Sequence, residues 1–198
     1  MVMSTAKLEP YALAIGQTTL AWNELHETLG ALFCKVLGGS TDMDHKMQCM
    51  AVWGSVSNDR QKRILLEAAV NWMGEKRHKE FPELAPDILY LIGRANSLED
   101  KRNNVIHAPL EEVSSVIVAA MIGKKVGDVY PGGVLNDHAL KLANSTIHVG
   151  KDLLTEINRY RDYAEYLDLW ASAIFQALEK PDGTWPKRPS LPPLKDKA

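Results

Sequence analysis

Apolar residues recur along this chain in alternating steps of three and four, the spacing that lines one face of an α-helix. The first such run is Ile15, Thr18, Trp22, Leu25, Leu29, Leu32 and Val36. Pro10 precedes it where a first helical turn tolerates proline, and Gly38-Gly39 closes it. A segment from about Asp44 to Trp53 predicts a brief helix rich in methionine (Met43, Met47, Met50), interrupted by Gly54 and Ser55. Asn58 followed by Gln61 has the form of a capping box. The helix behind it is expected to reach about Met73 with Ile64, Leu65, Ala68 and Trp72 facing inward. A third long helix starts around Pro82 to Pro86 and carries Leu84, Ile88, Leu91, Ala95, Leu98, Arg102 and Val105 on one stripe. Pro109 disfavours helical geometry at Ala108, so this helix should stop at about His107.

The pattern then changes. SSVIVAAMIG is rich in β-formers, GKKVGD offers a turn and VYPGG closes the unit, which predicts a small β-hairpin within Glu111 to Leu135. Asp137 to Leu142 reads as a helical turn. From about Ser145 a last long helix carries Leu153, Ile157, Tyr160, Ala164, Leu167, Ala171, Ile174 and Leu178. The tail from Pro181 is proline-rich and polar, hence extended, with Trp185 as its one plausible anchor. The expected fold is all-α: a bundle of four long helices plus short ones, with a hairpin inserted before the last helix. It forms a single domain over residues 1–180, followed by a tail over 181–198.

Composition narrows the function more than the fold. The chain has 198 residues, a hydrophobic fraction of 45%, a charged fraction of 24% and a formal net charge of -2. No global basic field draws it to nucleic acid or membrane, so an RNA-binding protein of this kind must use a local patch. Arg60, Lys62, Arg63, Lys76, Arg77 and Lys79 could form such a patch for phosphates, although a solvated helix end and loop is the better explanation of them. Cys34 and Cys49 lie in apolar stretches and read as reduced core residues. The opening MVMSTAKLEP has neither the basic start nor the apolar run of a secretion signal, and the cytoplasm is the expected location. No segment has the apolar length of a membrane span.

His26, His45, His78, His138 and His148 are scattered without ligand spacing, and Asp42, Asp44 and His45 read as a capping turn. Neither a metal nor a cofactor is expected. Gly38-Gly39 and Gly132-Gly133 fall outside any phosphate-loop pattern, and no serine or cysteine has a recognisable nucleophile setting.

The chemistry concentrates in RNNVIHAP, Arg102 to Pro109. Arg102 stands where the periodicity asks for an apolar residue. One reading is ordinary: cations suit a helix C-terminus, asparagines suit a fraying end, and arginine can lay its methylenes inward while its head stays in water. The other is chemical. Arginine offers a planar fork of donors for a phosphate, histidine exchanges a proton near neutrality, and asparagine orients its neighbours. Those are the parts for RNA cleavage by attack of a 2′-hydroxyl on the adjacent phosphorus without a metal. Five residues on an ideal helix turn two side chains about 140° apart. Arg102 and His107 therefore converge only if the last turn unwinds or a second copy completes the site.

R-N-x-x-x-H at the end of the third long helix of an all-α bundle, here Arg102, Asn103 and His107, resembles the motif of the HEPN superfamily. AWNELHETLGALF resembles the first helix of those proteins, and the resemblance covers roughly residues 10–180. It implies a homodimer with two motifs facing across a cleft, acting as an endoribonuclease of toxin or phage-defence type. It also implies an antitoxin or regulatory partner in many members. One subgroup is modified by a partner nucleotidyltransferase on a tyrosine shortly after the motif histidine. Ala108 and Pro109 stand here instead, so that partner is not implied. The alternative expectation is a non-catalytic helical dimer that serves as a scaffold, sensor or regulatory interaction module.

Overall fold

A computed structural model describes residues 5–38, 43–73, 75–106, 111–114, 138–141, 147–148, 153–180, 184–191 and 194. The described residues form six helices: α1 (Thr5–Gly38), α2 (Met43–Ser55), α3 (Asp59–Trp72), α4 (Glu75–Glu80), α5 (Leu84–Ile106) and α6 (Leu153–Glu179). Three short strands, β1 (Glu111–Ser114), β2 (His138–Lys141) and β3 (Ile147–His148), pair antiparallel in that order. The predicted helical turn over Asp137 to Leu142 is therefore a strand where it is described, and Ile147–His148, expected in the last helix, are strand as well; that helix is described from Leu153. Leu140 and Lys141 face His148 and Ile147 across the ladder, which claims their backbone groups for the sheet. The expected hairpin turn at GKKVGD lies outside the described residues. No helix of the described residues is long and apolar enough to cross a membrane.

The chain divides into two compact units, Met1–Thr19 with Glu99–Arg161, and Leu20–Leu98 with Asp162–Ala198. In the first unit, Ala14 and Thr18 of α1 are buried, as are Ile157 and Tyr160 of α6. Thr18 occupies a stripe position usually given to an apolar residue. Its hydroxyl donates to the Ala14 carbonyl at 2.8 Å and lies 3.3 Å from the Ile157 carbonyl, which satisfies it away from water. Arg161 donates to Gln17 at 3.0 Å.

The second unit holds the larger apolar core. Trp22, Leu25, Leu29, Leu32 and Val36 of α1 are buried as their spacing predicts. So are Leu84, Ile88, Leu91, Ala95 and Leu98 of α5, and Ala164, Leu167, Ala171, Ile174 and Leu178 of α6. Asn58 caps α3, accepting from the Gln61 amide at 3.1 Å. The face of α3 that points inward is not the expected one. Arg63, Leu66, Ala69 and Val70 are buried, while Ile64 is 56% and Trp72 77% exposed. The helix is turned by one residue relative to its most apolar stripe, because Arg63 finds polar partners inside.

Helices α1 and α2 lie against each other at two glycines. A Cβ on Gly30 would stand 2.7 Å from the Trp53 indole nitrogen, and one on Gly38 would collide with the His45 ring. Opposing Gly30 to Trp53 and Gly38 to His45 fixes an antiparallel register. The tail docks on α5, as an anchor at Trp185 predicts. Its indole donates to Asp87 at 2.7 Å and its ring centroid is 6.0 Å from that of Phe81. Arg188 adds an ion pair to the same carboxylate and sits 5.0 Å over Tyr90. Asp87 is only 4% exposed, so these donors are what make its charge tolerable there.

Candidate functional site

The apolar stripe of α5 runs down to Leu98 and continues to Arg102, near the end of the helix as described. Arg102 and Asn103 are half-buried, and the Arg102 Nη1 donates to the Asn103 side-chain carbonyl at 2.8 Å. The bond ties the guanidinium to the helix that carries it, so its direction is set locally. The helix is described as far as Ile106, and its expected stop at about His107 lies outside the described residues. His107 lies outside the described residues, so the motif is described up to its arginine and asparagine.

The basic candidates separate by environment. Arg60 is exposed on the first turn of α3. Lys62 is half-buried with its ammonium 6.0 Å over the Trp53 ring. Lys79 is exposed on α4, which also carries Lys76 and Arg77, whose side chains lie outside the described residues. Arg63 does not belong with them. It is 1% exposed, and a guanidinium enclosed in that way cannot track a phosphate backbone.

What encloses Arg63 is a polar network that sequence reasoning missed. Its Nε donates to Asn96 Oδ1 at 2.7 Å and its Nη1 lies 2.9 Å from His26 Nε2, with the guanidinium 5.5 Å over the Trp22 ring. The Trp22 indole donates to Asp59 at 2.8 Å. An arginine has only donors, so His26 Nε2 must accept. The imidazole proton then sits on Nδ1, 3.1 Å from the Trp22 carbonyl one turn back. His26 is thereby held neutral in a single tautomer. The signal that could have revealed this was the step of three and four from Arg63 to Leu66 and Val70, which places the arginine on a buried face.

Burial pushes the His26 pKa below its usual 6.5, and the Arg63 and Lys62 cations push it the same way, against Asp59 and the Trp22 carbonyl. The sign follows from proton counting. Below pH 6.5 the unfolded chain takes up a proton at His26 that the native chain refuses, so native stability falls with pH from there downward. Thermal melts between about pH 5 and pH 7.5 should show the wild type losing stability on the acid side. His26→Gln should show a shallower loss. Parallel curves for the two proteins would remove His26 as the cause.

Among the described residues no three His, Cys, Asp or Glu side chains converge as ligands for a metal. No protein-family model, no curated protein and no solved structure matches the chain.

Proposed function

We propose that the chain is an HEPN-like, metal-independent endoribonuclease of toxin or defence type, acting as a cytoplasmic homodimer. The observation that carries the reading is Arg102 on the core stripe of α5, half-buried and bonded to Asn103 on the last helical turn before His107. A packing stripe gives up apolar contact there in exchange for a positioned cation, a choice that suits a site better than a scaffold. In the proposed reaction His107 takes the proton of a ribose 2′-hydroxyl, whose oxygen attacks the adjacent phosphorus as the 5′-oxygen leaves. Arg102 binds the phosphate and meets the charge that grows on its oxygens. Asn103 holds the guanidinium in line. The two motifs of a dimer would form the RNA cleft, with Arg60, Lys62 and Lys79 as candidate phosphate contacts and an antitoxin as the regulatory partner.

The test is cleavage of RNA by the purified protein in excess chelator, beside Arg102→Ala and His107→Ala. Cleavage by the wild type that is lost in both variants supports the reading, and equal activity in all three overturns it.

The second reading, a non-catalytic dimer serving as scaffold, sensor or regulatory module, is favoured by exposed apolar side chains. Met43 and Met47 on α2 are 66% and 63% exposed, and Trp72 on α3 is 77% exposed. Surfaces of this kind mark contacts with other proteins. This reading expects a stable dimer with no cleavage at all.

A further inference from the structure

The α1–α2 register has a chemical consequence at its midpoint. Gly30 opposes Trp53 and Gly38 opposes His45, so the residue halfway along each helix segment faces the other: Cys34 on α1 and Cys49 on α2. The glycines on either side, each about one turn away, bring the backbones close at that point. The Cys49 thiol is one of the groups that shift the Cys34 thiol, and each residue is more than nine-tenths buried. On the other side of Cys49, its sulfur lies 3.5 Å from His45 Nε2. Two facing thiols with an imidazole on one of them are the parts of a redox couple.

We propose that Cys34 and Cys49 are a reversible dithiol–disulfide pair, oxidised by a small peroxide, with Cys49 as the attacking sulfur and His45 as its base. The two cysteines are not equivalent. Burial, with Cys49 beside it, pushes the Cys34 thiol up to about 11, so Cys34 stays protonated and acts as a donor. Cys49 is the one with a ring nitrogen, His45 Nε2, within reach of its sulfur to take the proton. In the first step His45 takes the Cys49 proton and the thiolate attacks one peroxide oxygen. The S–O bond forms, the O–O bond breaks, and hydroxide leaves to be protonated by the imidazolium. In the second step the Cys34 sulfur attacks the Cys49 sulfenic acid. The S–S bond forms, the S–O bond breaks, and hydroxide leaves with the Cys34 proton as water. The dithiol has given up two electrons to the peroxide, which has become two waters.

Access sets the class of oxidant. Helix α2 buries only Cys49 and Trp53 of its 13 residues, so few contacts resist its local opening. A peroxide is close to water in size and needs only a small opening. Glutathione disulfide would need the helix to detach.

The experiment uses the full chain, reduced, exposed to hydrogen peroxide, quenched with N-ethylmaleimide and mapped by peptide mass. A joined Cys34–Cys49 peptide about 2 Da lighter than the two thiol peptides, restored by dithiothreitol, is the expected result. Mapping by peptide separates it from oxygen added at the exposed Met43, Met47 and Met50. Both thiols fully alkylated after peroxide, or cross-links only between chains, would overturn the proposal without any variant being made. In Cys34→Ser a dimedone probe should trap a sulfenic acid at Cys49, and in Cys49→Ser it should trap far less at Cys34. Equal trapping would overturn the assignment of the attacking sulfur. His45→Gln should slow oxidation about tenfold, and an unchanged rate would remove the base. Glutathione disulfide at the same concentration should leave both thiols open to alkylation, and a faster reaction than with peroxide would overturn the assigned oxidant.

Discussion

On the proposed ribonuclease reading, His107→Ala should cut RNA cleavage about 10²- to 10⁴-fold at neutral pH, the usual contribution of a positioned general base or acid. Single-turnover cleavage of a labelled RNA in chelator measures it. The loss should shrink above pH 8, where a rising supply of hydroxide replaces the missing base. Arg102→Ala should fall by a comparable factor at every pH, because a guanidinium stabilises phosphate charge without titrating. Arg102→Lys should recover only part of that activity, since an ammonium is a point charge and cannot present a planar fork. Asn103→Ala leaves the arginine in place but removes the carbonyl that receives its Nη1. Its effect should be smaller, about tenfold, and felt as misdirection of Arg102. A melt of each variant separates chemistry from folding. Loss of activity that tracks loss of stability across all four would argue for the scaffold reading.

Arg63→Ala should destabilise the protein by about 3–5 kcal/mol, the range for removing one member of a buried charged network. The arginine is 1% exposed and supplies the donors to both Asn96 and His26. Its removal takes the donor from the half-buried Asn96 oxygen and from the buried His26 nitrogen, and leaves a cavity beside Trp22. Arg63→Met refills much of the volume and should cost less than alanine, since only the polar loss remains. Chemical denaturation at pH 7 gives the values. If His26→Ala and Arg63→Ala are combined, the double variant should lose less than the two separate losses added together, because both break the same contact. Additive losses would show that the 2.9 Å approach contributes little.

How much of this was legible in the sequence follows from where the determinants lie. The stripes of α1 from Trp22 to Val36, of α5 from Leu84 to Leu98 and of α6 from Ile157 to Leu178 read correctly because those positions answer to one requirement, burial, and the period carries that locally. Helix α5 continues to Ile106, as a stop imposed only by Pro109 allows, because proline acts on its own neighbour. Helix α3 read one residue out of phase. Its inward face begins with an arginine, and the reasons that arginine can be inward are His26, Asn96 and Trp22, which lie far away in sequence. The same difficulty explains why Arg63 was grouped with surface cations. Arg102 stood out only because its flanking stripe was already secure; had α3 been in phase, Arg63 would have stood out for the same reason. The segment Asp137 to Leu142 read as a helical turn because a strand of four residues pairs with partners the local pattern does not contain. In α1, Gly38 was read only as a terminator, but the closeness of α2 that Gly30 and Gly38 permit is a property of two helices together.

The uneven burial of the indoles also gives the protein an optical signature. Of its five tryptophans, Trp22, Trp53 and Trp170 are enclosed, Trp185 is partly covered where it docks on α5, and Trp72 stands 77% in solvent. An aqueous quencher such as iodide therefore reaches Trp72 first and the three enclosed rings last. Replacing Trp72 with phenylalanine should leave native emission that is blue-shifted and resistant to iodide, with Trp185 as the first indole to respond when the tail lifts. One surface residue thus sets the background against which the fluorescence of the whole interior can be read.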